Sequence, residues 1–266
     1  MSGELSNILY PALALGAIGL FFGALLAFSS IVFKVEKDER EDLIAEALPG
    51  ANCGGCGYAG CAALAKAIVC DGVRPTRCNL MTEETAKKIS KIMGIDAKLP
   101  TKKVARLACS GCTEKCANKY EFDGIDDCFT AMQLAGGPKN CEYGCMGIGS
   151  CVDACMFGAI SIKDGISCID EEKCTGCGRC ASVCPKHLIQ VVPYTSKVFV
   201  ACSSKDKGAE VKNYCIAGCI GCKLCEKKCA AGAITVTDNV AKINAELCTS
   251  CGECAAACPK KVIKIM

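Results

Sequence analysis

Residues 248–259 read Cys248-Thr-Ser-Cys251-Gly-Glu-Cys254-Ala-Ala-Ala-Cys258-Pro259, a C-x2-C-x2-C-x3-C-P run. Three thiolates at this pitch wrap one corner of an iron–sulfur cubane, and the fourth turns away to a second cluster. A zinc ribbon needs two separate CxxC knuckles and no third cysteine at this interval. Cys174, Cys177, Cys180 and Cys184-Pro185 repeat the run, and Cys219, Cys222, Cys225 and Cys229 repeat it without the proline. A looser copy runs Cys141-x3-Cys145-x5-Cys151-x3-Cys155, and the steps Cys155 to Cys174 and Cys229 to Cys248 both span 19 residues. Each run is followed by a short β-like segment: Ala159–Ile162, Leu188–Val191, Ala233–Val236 and Val262–Ile265. The C-terminal half is therefore a duplicated unit, each copy a pair of half-motifs.

Composition agrees. Of 266 residues, 28 are cysteine, far above ordinary globular usage. A single histidine, His187, excludes multi-histidine metal sites and leaves little room for a Ser-His-Asp machine. The net charge of +3 carries no nucleic-acid footprint, so no nucleic-acid partner is expected. Disulfides suit secreted domains, whereas cytoplasmic thiols stay reduced.

The repeated pattern resembles bacterial ferredoxins with two [4Fe–4S] clusters. Carried onto this chain, the ferredoxin crossover implies four sites. Cys141, Cys145, Cys151 and Cys184 would hold one cluster, and Cys174, Cys177, Cys180 and Cys155 its neighbour. Cys219, Cys222, Cys225 and Cys258 would form the third set, and Cys248, Cys251, Cys254 and Cys229 the fourth. The stretched Cys141–Cys151 spacing departs from the family pattern and leaves the nuclearity of that site open, while Met156 and Ala230 replace the usual proline.

A fifth set lies upstream in Asn52-Cys53-Gly-Gly-Cys56-Gly-Tyr-Ala-Gly60-Cys61, followed by an Ala/Leu-rich helix and Cys78. The glycines let the backbone turn tightly with its amides directed at sulfur. Before it, the 26-residue stretch Ile8–Phe33 carries no ionisable side chain and would form about 39 Å of helix, enough for one membrane span. It lacks the basic n-region of a secretory signal. Lys34, Lys37 and Arg40 after it place the bulk of the chain on the cytoplasmic side. A span without charge carries no protons or cations by itself.

One span, a four-cysteine domain and then ferredoxin-like repeats, in this order, resemble the B-subunit family of the Rnf complex, which is a membrane-bound, ion-translocating ferredoxin:NAD oxidoreductase. The segments Cys141-Glu-Tyr-Gly-Cys-Met-Gly-Ile-Gly-Ser-Cys151 and Val200-Ala-Cys-Ser-Ser-Lys-Asp-Lys-Gly208 resemble its clostridial type, with a second ferredoxin domain. The resemblance implies an α+β chain: anchor 1–36, four-Cys [4Fe–4S] domain 37–98, cysteine-containing connecting segment 99–138, and ferredoxin-like domains 139–200 and 201–266. It also implies five [4Fe–4S] clusters passing electrons from soluble ferredoxin to the other membrane and peripheral Rnf proteins, with no complete active site on this chain. A polyferredoxin of another membrane oxidoreductase, such as a hydrogenase, and a zinc-organised scaffold stay open as alternatives.

Eight cysteines remain: Cys70, Cys109, Cys112, Cys116, Cys128, Cys168, Cys202 and Cys215. Cys109, Cys112, Cys116 and Cys128 form a candidate sixth centre, against a thiol-lined connector. The repeat aligns Cys168 with Lys242, a non-ligand. Lys223, Lys227, Lys228, Lys260, Lys261 and Lys264 give the last domain a basic rim suited to an acidic redox partner, or simply a solvated face. Thr82 reads as the cap of a helix with Ala86, Ile89, Ile92 and Met93 on one face, stopped by Gly94. A second amphipathic helix is expected over Asp38–Leu48, with Leu43, Ile44, Ala47 and Leu48 inward, and a linker at Pro100 and Lys102-Lys103.

Overall fold

The computed structural model describes residues 2–32, 38–95 and 101–266. The chain divides into two units, Met1–Glu39 and Arg40–Met266. The first holds α1 (Ser2–Val32), a 31-residue helix on which Leu15, Leu20, Phe21 and Leu26 are all exposed. The expected span Ile8–Phe33 extends beyond the residues whose side chains are described, and the unbroken described stretch is Leu13–Ser29. Among the described residues no helix is long and apolar enough to cross a membrane. Lys34 and Lys37 lie outside the described residues.

The second unit opens with α2 (Glu39–Ala47), α3 (Cys61–Cys70) and α4 (Glu83–Met93). Their apolar stripes meet in one small core around Ile44, Leu64, Ile68 and Ile89, each at most 1% exposed. Thr82 caps α4 by accepting the Thr85 amide, and Gly94 ends it at φ 65°, as the sequence indicates. Leu43, expected inward, points out at 52% exposure: a nine-residue helix buries one narrow stripe, and Ile44 and Leu48 take it.

Two ferredoxin-like repeats follow. The first comprises β1 (Lys103–Leu107), α5 (Cys128–Gln133), α6 (Ser150–Asp153), β2 (Ile160–Lys163), β3 (Ile166–Ile169), α7 (Arg179–Ser182) and β4 (Ile189–Pro193). The second comprises β5 (Val198–Val200), α8 (Gly208–Tyr214), α9 (Leu224–Lys228), β6 (Ile234–Thr237), β7 (Val240–Ile243), α10 (Glu253–Ala256) and β8 (Ile263–Ile265). In each, the first strand pairs antiparallel with the last and the middle two form a hairpin. β1 thus closes the first repeat from within the expected connecting segment, and Lys103 opens it, whereas Pro100 lies outside the described residues. β5 likewise belongs to the second repeat, through its ladder with β8.

The cores of the repeats are thin. One gathers Ala105, Ile160 and Ile189 with Cys151 and Cys180, the other Val198, Ile234, Ala241 and Ile263 with Cys225 and Cys254. So few large side chains do not stabilise units of this size, and the thiols occupy the positions that leucines fill elsewhere.

Arg106 on β1 joins the repeats. Its guanidinium is 2% exposed, pairs with Glu171 at 2.7 Å and 3.1 Å, donates to the Ser196 carbonyl, and lies 5.4 Å from the Phe199 ring. Arg106→Ala leaves a largely buried carboxylate unpaired. It is expected to cost about 3–5 kcal/mol in denaturant unfolding of the cofactor-loaded protein.

Candidate metal centres

The loops before the short helices share one backbone. After the first cysteine of each run, the second and fourth residues take positive φ. They are Gly176 and Gly178 after Cys174, Gly221 and Lys223 after Cys219, Ser250 and Gly252 after Cys248. Lys223 and Ser250 adopt this conformation without being glycine, at φ 60° and 57°. The fourth of these residues is in each case the N-cap of the helix carrying the third cysteine. Gly147 and Gly149 hold the same two places after Cys145, with Gly149 capping α6.

The irregular run is therefore a regular loop whose cysteine positions are 145, 148, 151 and 155, with Ile148 in place of the second cysteine. Cys141 lies outside it. A further turn recurs three residues after each fourth cysteine, where Gly158, His187, Gly232 and Lys261 have φ between 48° and 60°. His187 is exposed there, at a turn position.

All the described cysteines are free, and four of the five expected sets stand together. Cys219, Cys222, Cys225 and Cys258 line one cavity of about 380 Å³. Cys53, Cys56, Cys61 and Cys78 line another of about 380 Å³, with Cys177 at its wall. Cys180 packs with Cys155 and Cys174, and feels Cys177 as well. Cys248, Cys254 and Cys229 share a core with Cys225, and Cys251 acts on Cys254.

The set containing Cys145 differs from expectation. Its cavity, about 400 Å³, is lined by Cys128, Cys145, Cys151 and Cys184. Cys128 enters from the N-terminus of α5, where its amide donates to Ser150 Oγ at 2.7 Å and Ser150 in turn donates to Asp127. Cys141 faces a different cavity, of about 350 Å³, with Cys109, Cys116, Cys202 and Cys215. Of the candidate sixth centre, Cys109 and Cys116 come together, Cys128 goes to the Cys145 set, and Cys112 lines neither cavity. Cys168 is exposed opposite Ser161 on the β2–β3 hairpin, as Lys242 is opposite Thr235 on the other. Cys70 is exposed too, with its thiol on Glu41.

The surroundings suit anionic, sulfur-bound groups. Backbone amides point at sulfur: Ala105 to Cys174, Ala159 to Cys155, Leu188 to Cys184, Ala233 to Cys229 and Ser250 to Cys248, at 3.3–3.4 Å. The Lys186 ammonium is buried at the Cys145 cavity with no hydrogen-bond partner, an orphan cation that an anion would satisfy. Burial pushes the Cys180 thiol up to about 12, and Cys145 and Cys225 up to about 11. Among the described residues, no three His, Cys, Asp or Glu side chains converge on a point that a single ion would fill. The thiols rim four separate cavities instead.

Three family models match. An Fe-S cluster model covers residues 48–79, a 4Fe-4S binding domain 168–190, and a 4Fe-4S dicluster domain 218–262. The chain is 43% identical to the B subunit of the ion-translocating oxidoreductase complex of Methanosarcina acetivorans, over 98% of this chain and 100% of that one. It is 44% identical to the B subunit of the Na(+)-translocating ferredoxin:NAD(+) oxidoreductase complex of Acetobacterium woodii, over 97% of this chain and 78% of that one. It is 41% identical to the proton-translocating counterpart of Clostridium ljungdahlii, over 98% and 93%. The chain belongs to the B-subunit family of ion-translocating (Rnf) oxidoreductase complexes. As in that family, it carries [4Fe–4S] binding domains.

In this member of the family, the four-cysteine domain sits directly on the first ferredoxin-like repeat. A Cβ on Gly55 would collide with the Cys177 carbonyl oxygen, and Asn79 donates to the Gly176 carbonyl at 3.0 Å. Gly55→Ala is expected to push the two loops apart and to lower stability by about 1–3 kcal/mol, read as a fall in thermal midpoint.

Proposed function

We propose that this chain is the electron-carrying subunit of an ion-translocating ferredoxin:NAD oxidoreductase, anchored by one membrane span with its cysteine-rich domains on the cytoplasmic side. It would accept low-potential electrons from reduced ferredoxin and relay them to membrane partners. The observation that carries this reading is the sorting of the cysteines into separate rings around neighbouring cavities in one unit. The names of the relatives, two of them from ferredoxin:NAD(+) oxidoreductase complexes, supply the redox couple.

The proposed ligand sets are Cys53/Cys56/Cys61/Cys78, Cys174/Cys177/Cys180/Cys155, Cys128/Cys145/Cys151/Cys184, Cys219/Cys222/Cys225/Cys258 and Cys248/Cys251/Cys254/Cys229. Iron–sulfur clusters bound there would supply one-electron carriers at low potential. The protein's own part is to hold the thiolates, direct amides at their sulfur, and offset their charge with Lys186 and its neighbours. Cys222 and Cys251 are the exposed thiols of their sets, and exposed Lys223 follows Cys222 with exposed Lys227 and Lys228 on the same short helix, where an acidic ferredoxin would dock. α1, with its apolar side chains turned outward and Lys34 and Lys37 following it in sequence, supports the anchor and its orientation.

Anaerobically prepared protein is expected to contain iron and acid-labile sulfide without zinc, and to bleach in the visible when mixed with reduced ferredoxin, more slowly at high salt. A colourless or zinc-loaded preparation refutes the proposal. The Cys145 set has its own check. Cys128→Ser should remove about four irons per chain, and Ile148→Cys in the same chain should restore them, because position 148 already has the backbone of a second-cysteine site.

A further inference from the structure

The cavity that holds Cys141 belongs to none of the five sets. It lies between the two ferredoxin-like repeats and draws on both: Cys109 and Cys141 from the first, Cys202 and Cys215 from the second, with Cys116 beside them. The four are equivalent in pairs. Cys109 and Cys202 each stand two residues beyond the end of the opening strand, β1 or β5. Cys141 and Cys215 each stand four residues before the first cysteine of the following loop, Cys145 or Cys219. An approximate twofold relation between the repeats thus places four thiols around one space.

Cys109 Sγ accepts the amide of the residue two positions on, Gly111, at 3.4 Å. Cys248, in a regular ferredoxin loop, has the same bond from Ser250. Cys116 has no counterpart in the second repeat, where Cys202 and Cys215 are only 13 residues apart. The four paired thiols are therefore the ligands, and Cys116 is their outer neighbour in the same cavity. A cation is built into the wall. Lys139 is 1% exposed, lines the cavity, and makes a single hydrogen bond, to the Gly165 carbonyl at 2.9 Å. A fully buried ammonium with donors to spare calls for an anion beside it.

We propose that Cys109, Cys141, Cys202 and Cys215 bind a sixth [4Fe–4S] cluster that joins the two ferredoxin-like repeats into one relay. The wiring is visible at both ends. The Cys145 amide donates to Cys109 Sγ at 3.4 Å, and the Cys219 amide donates to Cys202 Sγ at 3.3 Å. Cys145 and Cys219 are themselves in the adjoining sets. With Cys151 packed beside Cys180, and Cys177 in the wall of the Cys53 cavity, the six sets follow one line. It runs from the Cys248 set through the Cys219 set, the new site, the Cys145 set and the Cys174 set to the Cys53 set. One electron leaving a set reduces the next by one, so no other reactant is required.

This inference rests on the iron–sulfur reading of the other five sets, and iron counting separates the two. Full-length protein, prepared anaerobically, should hold about 24 irons with matching labile sulfide. Cys202→Ser should hold about 20 and lose one paramagnetic signal after dithionite reduction. Cys112→Ser and Cys116→Ser should keep all of them. A wild type with about 20 irons overturns the sixth cluster alone, and that count stands even if Cys202→Ser fails to fold. Loss of four irons in Cys112→Ser with none lost in Cys202→Ser also overturns it. An iron-free wild type overturns both readings.

Discussion

Several thiolates held together in a small domain are tolerable only when something in the interior compensates their charge, and that constraint organises this chain. Most of its cysteines lie where side chains pack, and the apolar residues sharing those cores are mainly single isoleucines, valines and alanines. Such a core supplies little of the burial that ordinarily balances backbone entropy. On the proposed cluster reading, the missing cohesion would come from what the sulfurs bind, making folding and cluster loading one equilibrium. Two structural details follow from the same constraint: amides directed at sulfur from the strand ends, and two ammonium groups, Lys139 and Lys186, buried among thiols.

The regular loops were legible because their chemistry is local. Three cysteines at a three-residue pitch, followed four residues later by a fourth, specify a turn, a short helix and a return into a strand. The β-like segments at Ala159, Leu188, Ala233 and Val262 each start one residue before β2, β4, β6 and β8. The opening strands β1 and β5 were harder to see. They are short, they precede their loops by long intervals, and only their pairing with β4 and β8 defines them.

The site around Cys145 shows why counting cysteines alone misleads. Cys141 lies near Cys145 in sequence and attracts the missing ligand position. The register is set instead by Gly147 and Gly149, which repeat the left-handed pair of the other three loops. Aligning those positions, rather than the nearest cysteines, puts Ile148 at the second-cysteine place of the loop, and Cys141 lines the other cavity. The partner, Cys128, carries no local signal. It reaches the site only through the fold, on a helix tied down by Asp127 and Ser150.

Comparing the repeats explains where that partner came from. Cys109 and Cys141 are 32 residues apart, their counterparts Cys202 and Cys215 only 13. The longer segment contains Cys112, Cys116, α5 and Cys128. The second repeat, without the insertion, has a cysteine at every place in its loop. The first has Ile148 at the second place of its loop, and Cys128 from the longer segment lines the same cavity. Each of these two loops thus faces a cavity lined by four thiols, so the ring of sulfur is common to both repeats although the motif that usually writes it is not.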